Sequence, residues 1–327
     1  MEVNVVYDVV ALGELLIDFT SYGVSPGGMR LFEQNPGGAP ANVLCALSNL
    51  GLKTAFIGKV GKDMHGDFLR KTLQCQNICT TGLVQDPNMF TTLAFVELSE
   101  SGERSFSFAR KPGADTCLRT DELNNIIIRN TKIFHFGSIS LTTQPVRSAT
   151  VSAVETAKLS GAIISYDPNY RALLWNNREE AMKRMRSVLS LVDVIKISDE
   201  ETELITGAKS PEKASKILID IGISCVVITL GAEGALIRTK TCLAKVKGIE
   251  CRVVDTTGAG DSFWGGFLYK LVQSGKKPQE LTEDSVKDFV KFANSVAALC
   301  IQKRGAIPAM PCIKDVMDLY ESEKNKL

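Results

Sequence analysis

A doubly wound α/β fold, with a mostly parallel sheet covered by helices on both faces, is what this sequence predicts. Three observations carry the prediction. Short apolar runs alternate with longer helical stretches along most of the 327 residues, and strands that alternate with helices pair in parallel through right-handed crossovers. Several of the runs end in carboxylates or glycines, as strands do where they feed a ligand site. One stretch, residues 91–108, leaves this rhythm and reads as two strands without a helix.

The elements follow in order. Residues 7–19, YDVVALGELLIDF, open with a strand-like run. Ala39 and Pro40 start a helix that continues through VLCALSNL and stops at Gly51, with proline near the first turn and glycine past the last. TAFIGKVG is the next strand. After Thr120, a candidate cap, DELNNIIIRN reads as a helix and TKIFHFG as a strand. The alternation continues with helix SATVSAVETAKLS, strand AIISYD, helix REEAMKRMRSVLS and strand VDVIKIS. Helix PEKASKILIDIG, strand CVVITLG and two long helices, Asp261 to Gln273 and Asp284 to Lys303, complete it. The charged tail ESEKNKL reads as a frayed terminus.

The exception, TTLAFVELSESGERSFSF, turns at Glu100-Ser101-Gly102-Glu103. With FTSYG after Asp18 it builds a small separate sheet, a β-lid of about 14–36 and 90–112 inserted into a single domain of residues 1–327. An antiparallel edge hairpin of the main sheet fits the pattern equally well.

Bulk composition narrows the function. The chain is 44% apolar and 23% charged, with a formal net charge of +1, which gives no reason to expect nucleic acid or a membrane surface as partner. Asp8, Glu14 and Asp18 interrupt the apolar N-terminal residues, so no signal peptide is read there and a cytoplasmic location is expected. Nine cysteines are scattered without a C-x-x-C pair, as reduced thiols would be. A zinc site from Cys75, Cys79 and a histidine is the weaker alternative. His65 lies in the loop-like GKDMHGDF, and His135, inside IFHFGSI, reads as a satisfied core residue.

Four polar strand ends gather on one rim if the sheet is parallel: Asp167 to Arg171, Ser198 to Glu201, Thr229 to Gly231, and Asp255 to Asp261 after RVV. The last, VVDTTGAGDSFWGGFL, is the most informative. Gly258 and Gly260 let the backbone approach a ligand, and the amides of the following helix make an anion site. Neither G-x-x-x-x-G-K-[ST] nor G-x-G-x-x-G occurs after a strand, which disfavours the two familiar nucleotide loops. A carboxylate beside an anion cradle suits phosphoryl transfer to an alcohol. Asp261 accepts the hydroxyl proton while the amides hold the phosphoryl oxygens. The helix N-terminus is expected to keep Asp261 ionised. A plain N-cap is the competing role.

DTTGAGDSFWGGFL, and PGGAPANVLCALSNLG continuing to GKVGKD, resemble the two signatures of the ribokinase-like (PfkB) carbohydrate kinases, with Leu44 where the family usually has a small residue. The resemblance covers nearly the whole chain. ERSFSFARKPGAD, YDPNYR, ISDEE and KRGAIPA are most similar to fructokinases. It implies a ribokinase-like core with a β-sheet lid, ATP and Mg²⁺ as co-substrates, and a homodimer joined through the lids. It implies Asp261 as the base and the backbone of Gly258, Ala259 and Gly260 as the anion hole. Asp18, Gly38 and Asn42 would bind sugar hydroxyls, with Arg110 and Phe108 closing from the lid, and Arg171 would lie near the transferring phosphate or the sugar. Glu201 would organise Mg²⁺ through water, although Ser198 replaces the asparagine of the family's N-x-x-E. Thr229, Gly231 and Asn294 would line the nucleotide pocket, and Asp255, Thr257 and Gly305 a K⁺ site. From position alone, Asn42 serves structure or substrate equally. The expected acceptor is the 6-hydroxyl of D-fructose. 2-Keto-3-deoxygluconate, for which Lys111 beside Arg110 leaves room, and a non-catalytic sugar sensor are the alternatives.

Overall fold

The computed structural model describes residues 5–98 and 104–325. Its strands are β1 (Tyr7–Leu12), β2 (Leu16–Val24), β3 (Arg30–Gly37), β4 (Thr54–Gly61), β5 (Cys79–Asp86), β6 (Leu93–Leu98), β7 (Arg104–Ala109), β8 (Thr131–Gly137), β9 (Ile163–Asp167), β10 (Val194–Ser198), β11 (Cys225–Thr229), β12 (Ala235–Thr239) and β13 (Leu243–Val246). The helices are α1 (Ala39–Asn49), α2 (Met64–Cys75), α3 (Asn125–Arg129), α4 (Val146–Leu159), α5 (Arg178–Ser187), α6 (Thr202–Thr206), α7 (Pro211–Asp220), α8 (Ala259–Ser274), α9 (Glu283–Cys300) and α10 (Ile313–Lys324). Nine strands form one sheet in the order β13-β12-β11-β10-β9-β8-β1-β4-β5. It is parallel from β5 to β11, and β12 and β13 close one edge antiparallel. A second sheet has the order β3-β2-β6-β7.

Both faces of the large sheet are covered, because its strands are apolar on both sides. In β1, Val9 and Ala11 enter one apolar layer with α1, α8 and α9, while Val10 and Leu12 enter the other with α4 and α7. Trp264 and Phe267 of α8 stack at 5.0 Å and are fully buried. Each such side chain contributes about 2–3 kcal/mol by burial. α8 is thereby pinned to the sheet, and its first turn is carried to the rim.

Several elements differ from the sequence reading. Residues 7–19 are two strands in different sheets, broken at Gly13-Glu14-Leu15. His65 is helical: Asp63 caps α2 by accepting from His65 N and Gly66 N. Gly66 looks like a loop signal but serves packing, since a Cβ there would meet Gly61 O at 2.0 Å. Thr120 does not cap a long helix. A 3₁₀ turn covers Thr120–Glu122, and Asn124 caps the short α3. RVV is not a strand; its Val254 and Asp255 amides donate to Ile301 O at the end of α9. The tail is helical through Lys324, whose ammonium lies 4.3 Å from the Tyr320 ring centroid and 3.4 Å from Asp288. The 91–108 segment pairs within the small sheet, not at the edge of the large one. Its turn, Glu100 to Glu103, lies outside the described residues.

Candidate active site

The start of α8 is built by two glycines with different tasks. Gly258 adopts φ 77° and caps the helix without a side-chain bond. Any side chain there is strained, and a Cβ would sit 2.8 Å from the Ala306 methyl. Gly260 has no such φ; a Cβ on it would stand 3.0 Å from Lys196 Nζ. Its missing side chain makes room for an ammonium.

Asp261 follows one turn into the helix and is buried. It does not cap. Its Oδ2 accepts a 2.8 Å hydrogen bond from Asn42 Nδ2. Burial pushes its pKa above the ordinary aspartate value; Lys196 opposes this, Asp167 adds to it, and the Asn42 bond and Arg171 oppose it. The direction is opposite to that expected from the helix dipole alone, because desolvating a fully buried carboxyl outweighs the dipole.

Asn42 is positioned by the start of α1. Gly38 caps that helix at φ 121°, where a Cβ would meet Glu14 O at 2.3 Å. The buried Glu14 accepts from Ala39 N at 3.0 Å through Oε1. Glu14 Oε2 and Asn42 Oδ1 have no protein partner among the described residues. Asn42 therefore faces Asp261 with one end and offers an acceptor without a protein partner among the described residues with the other.

Glu14 carries a testable consequence. Burial, eased by the amide bonds, raises its pKa from 4.5 to about 7. A carboxyl with a raised folded pKa binds more protons in the native state than in the unfolded chain, so its contribution falls as pH rises from about 4.5 through 7. Urea unfolding at pH 5 and pH 8 should show wild type losing about 2–3 kcal/mol relative to Glu14→Gln across that interval. Parallel losses in the two proteins would refute the assignment.

The small sheet contributes one register row, Asn35, Asp18, Ala94 and Phe108, so these side chains share a face. Asp18 is raised to about 6 by burial, opposed by Arg171. Arg171 is exposed, donates to Tyr170 O at 3.1 Å, and acts electrostatically on both Asp18 and Asp261. Arg304, in the loop after α9, pairs at the surface with Glu33 of β3 at 3.0 Å. Arg110 departs from expectation. It is 9% exposed and bonds inward to Asp115 at 2.8 Å, to Thr142 Oγ1 and to Ile139 O at 3.3 Å. Its guanidinium anchors the root of β7 in the core instead of closing from the lid, because a buried guanidinium must spend its donors on fixed acceptors.

Along the rim, Glu201 accepts from Tyr170 N at 2.6 Å and Ser198 N at 2.8 Å. Ser198 precedes the 3₁₀ turn Asp199–Glu201, and its bond to Glu201 is made by its backbone amide. Ser198 and Thr229 are register partners, and Gly231 turns the chain beyond them at φ 57°. Asn294 of α9 donates to Lys247 O at 2.8 Å. Asp255 accepts from Thr257 N and Oγ1 through one oxygen and from Gly305 N through the other, so the three residues meet. No group of three or more acidic, histidine or cysteine side chains gathers to hold a metal among the described residues. Glu201, with both oxygens on backbone amides, suits an outer-sphere role through water.

Lys196, Asp167, Glu14 and Asn35 are the polar residues here that sequence reasoning did not assign a role. Lys196 had a signal: an ammonium inside the apolar run VDVIKIS needs a buried partner, and Asp167 Oδ2 lies 2.6 Å away.

Residues 7–312 match the family model described as pfkB family carbohydrate kinase. The chain is 42% identical over 318 residues to "Probable fructokinase-5" of Arabidopsis thaliana, covering 96% of this chain and 98% of that one. It is also 42% identical to "Fructokinase-2" of Solanum lycopersicum, with 96% of each covered. Among solved structures, Xylella fastidiosa fructokinase with bound ATP aligns with TM-score 0.88 at 33% identity, covering 97% and 99% of the two chains. A Vibrio cholerae fructokinase in a fructose-, ADP- and potassium-bound form aligns with TM-score 0.85 at 35% identity, covering 96% and 98%. With these matches over nearly its whole length, and a glycine turn beside a buried carboxyl at the sheet rim, the chain is a phosphotransferase that belongs to the pfkB family of carbohydrate kinases.

Proposed function

We propose that this kinase transfers the γ-phosphoryl group of ATP to the 6-hydroxyl of D-fructose, with Asp261 as general base. The observation that carries it is the Asn42–Asp261 pair at 2.8 Å, beside the Gly258–Gly260 turn, with Arg171 acting electrostatically on both Asp261 and Asp18 of the small sheet. The sugar hydroxyl oxygen bonds to the γ-phosphorus as the bond to the ADP oxygen breaks, and the hydroxyl proton passes to Asp261. The amides of Gly258, Ala259 and Gly260 receive the charge on the phosphoryl oxygens. Glu201 would hold Mg²⁺ through water, and the metal would supply charge neutralisation. Asp18, Gly38, Asn42 and Phe108 form the sugar side; Thr229, Gly231, Asn294 and the Ser198 turn form the nucleotide side. Arg171 spans the two, between the Asp18 and Asp261 carboxyls. K⁺ fits beside Asp255, Thr257 and Gly305.

An acidic sugar is disfavoured because Arg110 is spent on Asp115, leaving Lys111 alone at that edge. The small sheet exposes Tyr22, Val24, Met29, Leu31 and Phe32, an apolar surface suited to a second copy of the chain. Among the described residues no helix is long and apolar enough to cross a membrane, and all nine cysteines are free. Both suit the cytoplasm.

The test is ATP consumption with Mg²⁺ and K⁺ on fructose, glucose, ribose, 2-keto-3-deoxygluconate, adenosine and fructose 6-phosphate. Turnover should be fastest on fructose, and the same preparation should sediment as a dimer. Faster turnover on another acceptor overturns the substrate. Binding without turnover on any sugar overturns catalysis in favour of a sensor.

A further inference from the structure

Among the described residues, Lys196 is the one buried cation on this rim that the reaction above leaves without a role. It projects from β10 opposite Asp167 on β9; the register pairs Val194 with Ser165 and Ile195 with Tyr166, so Lys196 comes next to Asp167. The two side chains bond at 2.6 Å, with side-chain exposures of 8% and 2%. A buried ion pair of this kind adds little net stability over an apolar pair of equal volume. Its place in the fold asks for another reason.

Two contacts supply one. The ammonium fills the space where a Cβ on Gly260 would lie, 3.0 Å away, so it sits directly beneath the turn that precedes Asp261. Its charge acts on Asp261, on Asp167 and on Glu201. We propose that Lys196 is a positioning residue for the base, a permanent charge that Asp167 holds under the glycine turn so that Asp261 stays ionised despite its burial. This rests on the reading of Asp261 as the base.

Opposing influences balance at this pair of groups. Burial on its own would drive the proton off Lys196, but the carboxylates of Asp167, Glu201 and Asp261 outweigh it and hold its pKa above the usual lysine value. Around Asp261, burial favours the neutral acid, and the neighbouring charges come from separate elements. Lys196 of β10 and Arg171, just after β9, favour the carboxylate; Asp167 of β9 disfavours it. Asn42 of α1 donates to it. His135 of β8, which bonds to Ser165 Oγ at 2.9 Å, is lowered to about 4 by burial, and Cys300 of α9 is raised to about 11 by burial, so both are uncharged at neutral pH. Lys196 is the largest of the terms that oppose burial. Without it, the base would be protonated, and idle, over more of the working range.

The pH profile of kcat/KM for fructose at saturating MgATP tests this. Wild type should lose activity on its acid side as Asp261 takes up a proton. In Lys196→Met that limb should move up by about one pH unit or more, and Lys196→Arg should return it most of the way. Asp167→Asn should move it down, because a repelling charge is removed and the ammonium is left to Asp261. A rate that falls equally at every pH in Lys196→Met, with the limb in place, overturns the proposal. If Lys196→Met does not fold, by circular dichroism, Asp167→Asn decides alone: a limb that stays or moves up overturns it. Asp261→Asn separates the two readings. Residual activity that keeps the same acid limb assigns the limb elsewhere and overturns the base itself.

Discussion

Asp261→Asn is expected to lower kcat on fructose by about a hundredfold to ten-thousandfold, with little change in fructose affinity. The substitution keeps the shape of the side chain, and its amide oxygen can still accept from Asn42 Nδ2, so the pocket should hold. What is lost is the ability to take a proton. Loss in kcat with affinity kept is the signature of an interaction made only in the transition state. Turnover kinetics with calorimetric fructose binding reads both quantities. A drop of less than about tenfold would mean that the glycine turn and metal carry the reaction without a base. Loss of binding in step with rate would make Asp261 a substrate-holding residue instead. The raised pKa adds a condition on pH: wild-type activity should decline on the acid side at a pH above the ordinary aspartate range.

The second large effect lies away from the chemistry. Asp115→Ala should cost about 3–5 kcal/mol of stability, because it leaves the Arg110 guanidinium buried and unpaired. Asp115 also accepts from Thr92 Oγ1, so the substitution also cuts a side-chain connection between the segment after β7 and the residue before β6. Urea unfolding measures the loss. The double variant Arg110→Met with Asp115→Leu should recover most of it, since an apolar pair of similar volume removes both buried charges together. Were Arg110 a sugar clamp, Arg110→Met would instead raise KM for fructose and leave stability near wild type. That outcome would return the arginine to the lid.

Arg110 also shows where a motif ceases to inform. ARKPGAD places an arginine after a lid strand, and position in the chain puts it near the sugar. Its direction is only partly local: Asp115 closes the same motif, while Thr142 and Ile139, 32 and 29 residues further on, complete the capture. Asn42 is the converse. Sequence left it undecided between structure and substrate, and the fold settles its first contact by bringing α8 against α1, 219 residues away.

Local signals, by contrast, were readable wherever one residue type answers one physical need. TAFIGKVG and TKIFHFG are strands β4 and β8 to the residue, since runs buried on both faces have sharp polar ends. α2, β3, β5 and the β12–β13 edge carried weaker patterns and were not read. Gly66 imitates a loop signal, and the residues of β3 are exposed or half-buried over most of its length.

By itself the sequence determined the alternation of strands and helices, the glycine turn and the carboxyl that follows it, because periodicity and backbone freedom are properties of neighbouring residues. Only the tertiary structure decided the charge environment of that carboxyl. Lys196, Asp167 and Asn42 act on it across space from three other places in the chain, burial acts with them, and their balance exists only once those segments pack together.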